Sequence, residues 1–125
     1  FLSSPKAVYD YLAVSLRGKR AEELKAIFTD SRNHPIAAET IQTGTVNKSA
    51  IYPRKVVESA IKHNAVSIIV AHNHPGGSLK PSQDDLQITE IIREALGAVE
   101  ISLLDHIIVS SEGYFSFREK GLLQT

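Results

Sequence analysis

Residues Val66-Ser67-Ile68-Ile69-Val70-Ala71 form a nearly unbroken apolar run rich in β-branched side chains. A strand with one wet face alternates apolar and polar residues, whereas a strand buried on both faces does not. The run is also far short of the ~20 apolar residues that span a membrane. It therefore predicts a strand inside a sheet covered on both sides, with the covering layers supplied by the rest of the chain. At 125 residues the chain is long enough for one domain with a core of its own.

The flanking sequence supplies those layers. Ser4-Pro5 opens a helix, with a capping hydroxyl and a proline in the first turn. Val8, Leu12 and Leu16 give it an apolar stripe, and Gly18-Lys19-Arg20 ends it. Leu24 to Thr29 and Pro35 to Thr43 read as strands of a hairpin around Asp30-Ser31-Arg32-Asn33. Pro53 opens a second helix, with Val56, Val57, Ala60 and Ile61 on one face and Asn64 near its end. A third helix runs from Gln83 to Leu96, with Ile88, Ile91, Ile92, Ala95 and Leu96 inward and Gly97 as its stop. Ser102 to Ser110 and Tyr114 to Phe117 are the last strands, joined at Glu112-Gly113. The order predicts an α/β domain: a mixed β-sheet flanked by helices, without repeats or an internal linker.

Composition removes several functional classes. Lys+Arg and Asp+Glu both number 14, so the formal charge is zero and a duplex-DNA binder working by bulk electrostatics is disfavoured. There is no cysteine, so disulfides, thiol nucleophiles and thiolate metal sites are absent and any ion must be held by His and carboxylates. Without a membrane-length apolar run or a signal-peptide pattern, the expectation is a cytoplasmic protein with no membrane partner. The opening Phe1-Leu2-Ser3-Ser4-Pro5 lacks a methionine, which suggests a piece of a longer protein.

The chemistry is concentrated where the apolar strand ends, in His72-Asn73-His74-Pro75-Gly76-Gly77-Ser78-Leu79-Lys80-Pro81-Ser82-Gln83-Asp84-Asp85. Residues two apart on extended chain point the same way, so His72 and His74 can offer imidazoles to one point. After the loop turns back, Asp85 enters from the first turn of the next helix. Two His and one carboxylate leave a fourth tetrahedral position open, the pattern of a catalytic rather than a structural zinc. Zinc there would lower the pKa of a bound water to roughly 7 and polarise a carbonyl. Taken alone, these residues also fit a quieter reading, in which the histidines are satisfied loop residues. Ser82 and Asp85 then form a capping box, and Asp84 and Asp85 complement the helix dipole. Helical angle does not choose between Asp84 and Asp85.

The full spacing resembles the signature of the JAMM (MPN+) metalloprotease family: His-x-His-Pro, six residues, Ser, two residues, Asp. His72, His74, Pro75, Ser82 and Asp85 match it position for position. The likeness is closer still to the RadC-like branch, through His72-Asn73-His74-Pro75, Gly77, Pro81-Ser82, Asp85 and Asp105-His106-Ile107-Ile108. Gly44-Thr45 and Pro53-Arg54 also fit that branch. The resemblance covers nearly all of residues 1–125 and implies a cytidine-deaminase-like JAMM/MPN fold. It also implies a missing N-terminal region like a helix-hairpin-helix module, making this the C-terminal catalytic domain of a longer protein.

The same resemblance implies roles. His72, His74 and Asp85 would ligate Zn²⁺, and Ser82 would help hold an oxyanion. An upstream glutamate would carry the proton from water to the leaving amine. Glu23, before the first strand, is favoured over Glu39 in the second. The implied reaction is hydrolysis of an amide or isopeptide bond in a peptide or protein substrate. Two alternatives stand beside it: a non-proteolytic DNA-repair-associated factor contacting DNA through the missing region, and a non-catalytic MPN interaction module. Asp105 and His106 are expected to support the site or pack beneath it, and His34 and His63 to lie on the surface.

Overall fold

The computed structural model describes residues 4–16, 19–47 and 49–123. The elements follow the expected order: α1 (Pro5–Leu16), β1 (Glu23–Thr29), β2 (Pro35–Thr43), α2 (Pro53–Lys62), β3 (Ser67–Asn73), α3 (Gln83–Gly97), β4 (Ser102–Ser110) and β5 (Gly113–Ser116). One five-stranded sheet has the order β2-β1-β3-β4-β5. β1 is antiparallel to both β2 and β3, β3 and β4 are parallel, and β5 is antiparallel to β4. A parallel pair needs a crossover, and α3 provides it.

β3 is the middle strand, and all seven of its residues are buried. Its side chains alternate between two cores. Ile68 and Val70 pack with Leu24, Ala26 and Phe28 of β1 and with the inner faces of α2 and α3. Ile69 and Ala71 face the other way, onto Ile27, Ile107 and the α1 stripe of Val8, Leu12 and Leu16. Thus α2 and α3 cover one face and α1 the other, which is the covering the apolar run demanded. Truncating Ile68, Ile92 or Leu96, each 0% exposed, to Ala would cost about 2–5 kcal/mol through lost transfer energy and a residual cavity.

Several helix ends and faces differ from expectation. Ser4 does cap α1, its Oγ accepting the Ala7 N–H at 3.2 Å. The proposed stop at Gly18 lies outside the described residues, as do Phe1, Leu2 and Ser3. Gly97 ends α3 but Glu100 takes the left-handed conformation, at φ 61°. Val66 precedes β3 and is largely exposed, as are Ile61 and Ile91, so the buried helical stripes are narrower than the apolar pattern. Among the described residues, no helix is long and apolar enough to cross a membrane.

Candidate metal centre

Strand parity puts His72 on the face of Ile68 and Val70, where it is 1% exposed. His74 lies just past β3 but stays anchored to β4, its N–H donating to the Val109 carbonyl at 2.9 Å. The two rings meet edge to face with centroids 4.7 Å apart, so the expected convergence occurs. The chain then turns at Gly77, whose N–H donates to the His74 carbonyl at 3.0 Å. Gly77 has φ 94°, a conformation that disfavours any side chain, so the glycines make a turn rather than a phosphate cradle. That turn brings the Ser78 carbonyl to 2.7 Å from His74 Nδ1. A carbonyl only accepts, so His74 donates from Nδ1 and directs Nε2 at Asp85.

Asp85 arrives on the first turn of α3. Ser82 Oγ accepts the Asp85 N–H at 3.0 Å, and Asp85 Oδ2 accepts the Ser82 N–H at 2.7 Å, a complete capping box. The same Oδ2 lies 3.0 Å from His74 Nε2, and Oδ1 lies 3.4 Å from His72 Nδ1. Asp85 falls on the buried stripe of Ile88, Thr89 and Ile92, whereas Asp84 stays partly exposed. Tertiary packing thus settles the choice that helical angle left open.

One ligand atom from each of His72, His74 and Asp85 lies within 4.8 Å of the other two. Ligands about 2.1 Å from one ion at a tetrahedral angle stand roughly 3.4 Å apart, so these separations fit a single ion. Among the described residues, four buried side-chain atoms lack a hydrogen-bond partner: His72 Nδ1 and Nε2, Asp85 Oδ1 and His106 Nε2. Three belong to the triad. Buried polar atoms rarely go without partners, and a shared cation would satisfy one His72 nitrogen and Asp85 Oδ1.

The electrostatics agree. Burial pulls the His72 pKa below the ordinary imidazole range, against the attraction of Asp85, which favours the neutral ligand form. The hydrogen bond to Asp85 raises that of His74. For Asp85, burial pushes upward but is outweighed by the His74 hydrogen bond, the His72 ring and the Ser82 N–H, and the pKa falls to about 2. Asp85 is therefore a carboxylate at neutral pH.

Both glutamates expected as candidates for the upstream acid are engaged by other residues. Leu24 is the cross-strand partner of His72, and Glu23, one residue earlier, belongs to the opposite face. Its carboxylate sits 3.4 Å from Lys19 and 3.9 Å from Lys25. Glu39 is engaged elsewhere too, 2.6 Å from His63 Nε2 and 3.7 Å from Lys62 Nζ. Glu22 has the parity of Leu24, the cross-strand partner of His72, and so falls on the His72 side of the sheet. It is partly buried, its Oε2 accepts the Val46 N–H at 2.9 Å, and its negative charge favours protonation of both His72 and His74. The sequence held no signal that separates Glu22 from Glu23: alternation puts them on opposite faces of the strand, and both faces carry buried apolar residues.

Asp105 and His106 take no place in the triad. Asp105 Oδ1 accepts the N–H groups of His106 and Arg118 at 2.7 and 3.0 Å, and Oδ2 accepts the Ser116 hydroxyl at 2.6 Å, tying β4 to the C-terminal turn. His106 stacks on Phe117 and lies 2.6 Å from Thr89 Oγ1, whose hydroxyl donates to the Asp85 carbonyl at 2.7 Å. It packs beneath the centre, as expected. His34 is exposed, but His63 is not a plain surface residue: it bonds Glu39 and packs on Phe28, with ring centroids 4.8 Å apart.

Comparison with known proteins gives a family. The profile described as RadC-like JAB domain matches residues 2–122. A UPF0758 protein of Pseudoalteromonas translucida is 47% identical over 121 residues, covering 97% of this chain and 54% of that protein. A UPF0758 protein of Cupriavidus pinatubonensis is 46% identical over 124 residues, covering 99% and 54%. The UPF0758 protein YeeS of Escherichia coli is 41% identical over 121 residues, covering 97% and 82%. The chain thus spans about half the length of the first two relatives and most of the third.

Proposed function

The chain belongs to the RadC-like JAB domain family, and from that premise we propose that it is a zinc-dependent hydrolase of amide or isopeptide bonds in a peptide or protein substrate. One observation carries the proposal: two acids with different duties share one end of one sheet face. Asp85 stands among the imidazoles, where the three could hold one ion, while Glu22 lies on the same side of the sheet by strand parity and outside their cluster. A hydrolytic base needs that separation, close enough to move a proton yet removable without loss of the ion.

The donor set of two imidazoles and one carboxylate, without sulfur, suits zinc with one position open. Zinc held there supplies Lewis acidity, acidifying water and polarising a carbonyl. Glu22 takes the proton from the attacking water and returns it to the leaving amine. The Val46 N–H holds the Glu22 carboxylate from one side. Ser82 Oγ accepts from the Asp85 N–H, and its own proton remains for donation to the developing oxyanion. In the longer relatives this domain would follow a helical region, and any contact with DNA would belong to that region.

The test combines elemental analysis with a library of linear and lysine-isopeptide-linked peptides read by mass spectrometry. The wild type is expected to carry one zinc and to cleave members of the library. Glu22→Gln keeps the zinc and loses about 10²–10⁴-fold in rate, the usual scale for a missing general base, while Glu23→Gln keeps both. A fully zinc-loaded wild type that cleaves nothing would sink the hydrolase reading. Undiminished rate in Glu22→Gln would remove Glu22 from it.

A further inference from the structure

The residue between the two ligands, Asn73, has so far no part in the chemistry. It is 2% exposed and lies on the α1 face of β3, opposite His72, so it does not belong to the triad. Its side-chain amide is nonetheless fully used. Oδ1 accepts the Glu23 N–H at 2.6 Å, and Nδ2 donates to the Ala21 carbonyl at 3.0 Å. Those two groups belong to the peptide units on either side of Glu22. We propose that Asn73 is a positioning residue for Glu22; the proposal rests on the reading of Glu22 as the proton carrier.

The fold explains why such a device is needed. β1 pairs with β3 as far as Leu24 and His72, and β1 itself begins at Glu23. Glu22 lies beyond the strand, where the β1–β3 ladder no longer holds the backbone. On its other side it is held by two bonds, from Gly44 N–H to its carbonyl at 2.8 Å and from Val46 N–H to Oε2 at 2.9 Å. The Asn73 amide continues the ladder by side chain where the backbone stops. The task requires an acceptor and a donor on one short planar group. Asparagine has both, serine and aspartate lack the fixed donor–acceptor pair, and glutamine is one methylene longer. The His-Asn-His order then has a physical meaning. Alternate residues hold the ion on one face, and the residue between them reaches around the strand end to orient the base.

The consequence is measurable without a substrate. Amide exchange is followed by NMR on the whole chain, loaded with zinc, for wild type, Asn73→Ala, Glu22→Ala and the double variant. A hydrogen bond of this kind typically shifts an equilibrium by a factor of roughly two to ten. Asn73→Ala is therefore expected to speed exchange at Val46 by about tenfold, through the loosened Glu22 carboxylate. Ile27 and Ile69, in the ladder interior, should not change, and zinc content should stay at the wild-type value. In the Glu22→Ala background, Asn73→Ala should add nothing at Val46. Asn73→Asp, which keeps the acceptor for Glu23 but not the donor to Ala21, should fall between.

If a cleavable peptide is found, kcat should drop on the order of 10²-fold in Asn73→Ala, the cost of misplacing a reacting group by about an ångström, with little change in KM. An unchanged Val46 amide overturns the proposal. So do loss of zinc, a general rise in exchange across the sheet, or full additivity in the double variant, because each makes Asn73 a structural residue. Absence of cleavage by the wild type counts against the hydrolase reading alone, since the exchange measurement does not depend on turnover.

Discussion

His106 should make the domain acid-sensitive in a way that one substitution removes. The ring is 0% exposed and stacked on Phe117, with centroids 4.5 Å apart and planes 14° from parallel. The Thr89 hydroxyl has a single proton, which it donates to the Asp85 carbonyl, so His106 donates from Nδ1 and keeps a lone pair on Nε2. Burial, reinforced by the neighbouring His72, brings its pKa down to about 3, and in the unfolded chain it returns to about 6.5. A folded-state pKa below the unfolded one favours the native state fully above about 6.5. That advantage is lost as pH falls toward 3, because only the unfolded chain takes up the proton. Between pH 7 and pH 5, one such proton costs about 2 kcal/mol. The figure requires only that His106 stay neutral at pH 5. His106→Asn lowers stability at every pH by lost packing on Phe117, but its fall from pH 7 to pH 5 should be smaller than that of the wild type by about 2 kcal/mol. Urea denaturation at the two pH values, with EDTA present to exclude metal linkage, measures both falls. Equal falls would show that His106 is protonated in the native state, or exposed, and would refute the argument.

The remaining predictions concern the centre and its surface. His72→Ala, His74→Ala and Asp85→Asn should each lose most of the zinc, and elemental analysis giving wild-type content in all three would end the assignment. Ser82→Ala removes one half of the capping box; it should keep the zinc and cost about 1 kcal/mol, or roughly 3–5 °C in Tm. Loss of zinc with an unchanged Tm would mean that Ser82 serves the ion rather than the helix. The formal charge of zero predicts weak or no binding of duplex DNA at physiological salt, read by fluorescence anisotropy, and sub-micromolar affinity would contradict it.

Much of this protein was legible in the order of its residues. Local periodicity located all eight elements, because a strand buried on both faces and helices with one apolar stripe leave distinct patterns. The His72–His74 pair was readable for the same reason: residues two apart on a strand share a face. Asp85 was narrowed to two neighbours by composition and spacing. Its burial beside Ile88 and Thr89 came only from how α3 lies on the sheet. Glu22 shows where local reasoning stops. Glu22 and Glu23 are adjacent acids at the start of one strand, and period-two alternation assigns them to opposite faces without saying which face meets His72. Both faces of β1 carry buried apolar residues, Ala26 and Phe28 on one and Ile27 on the other, so hydrophobicity does not break the tie. The tie is broken by the pairing of Leu24 with His72, a contact between residues far apart in sequence. A one-residue change in that register would exchange the two glutamates. Residue order therefore determined which side chains could serve the site, and the antiparallel register of β1 on β3 decided which of them reach it.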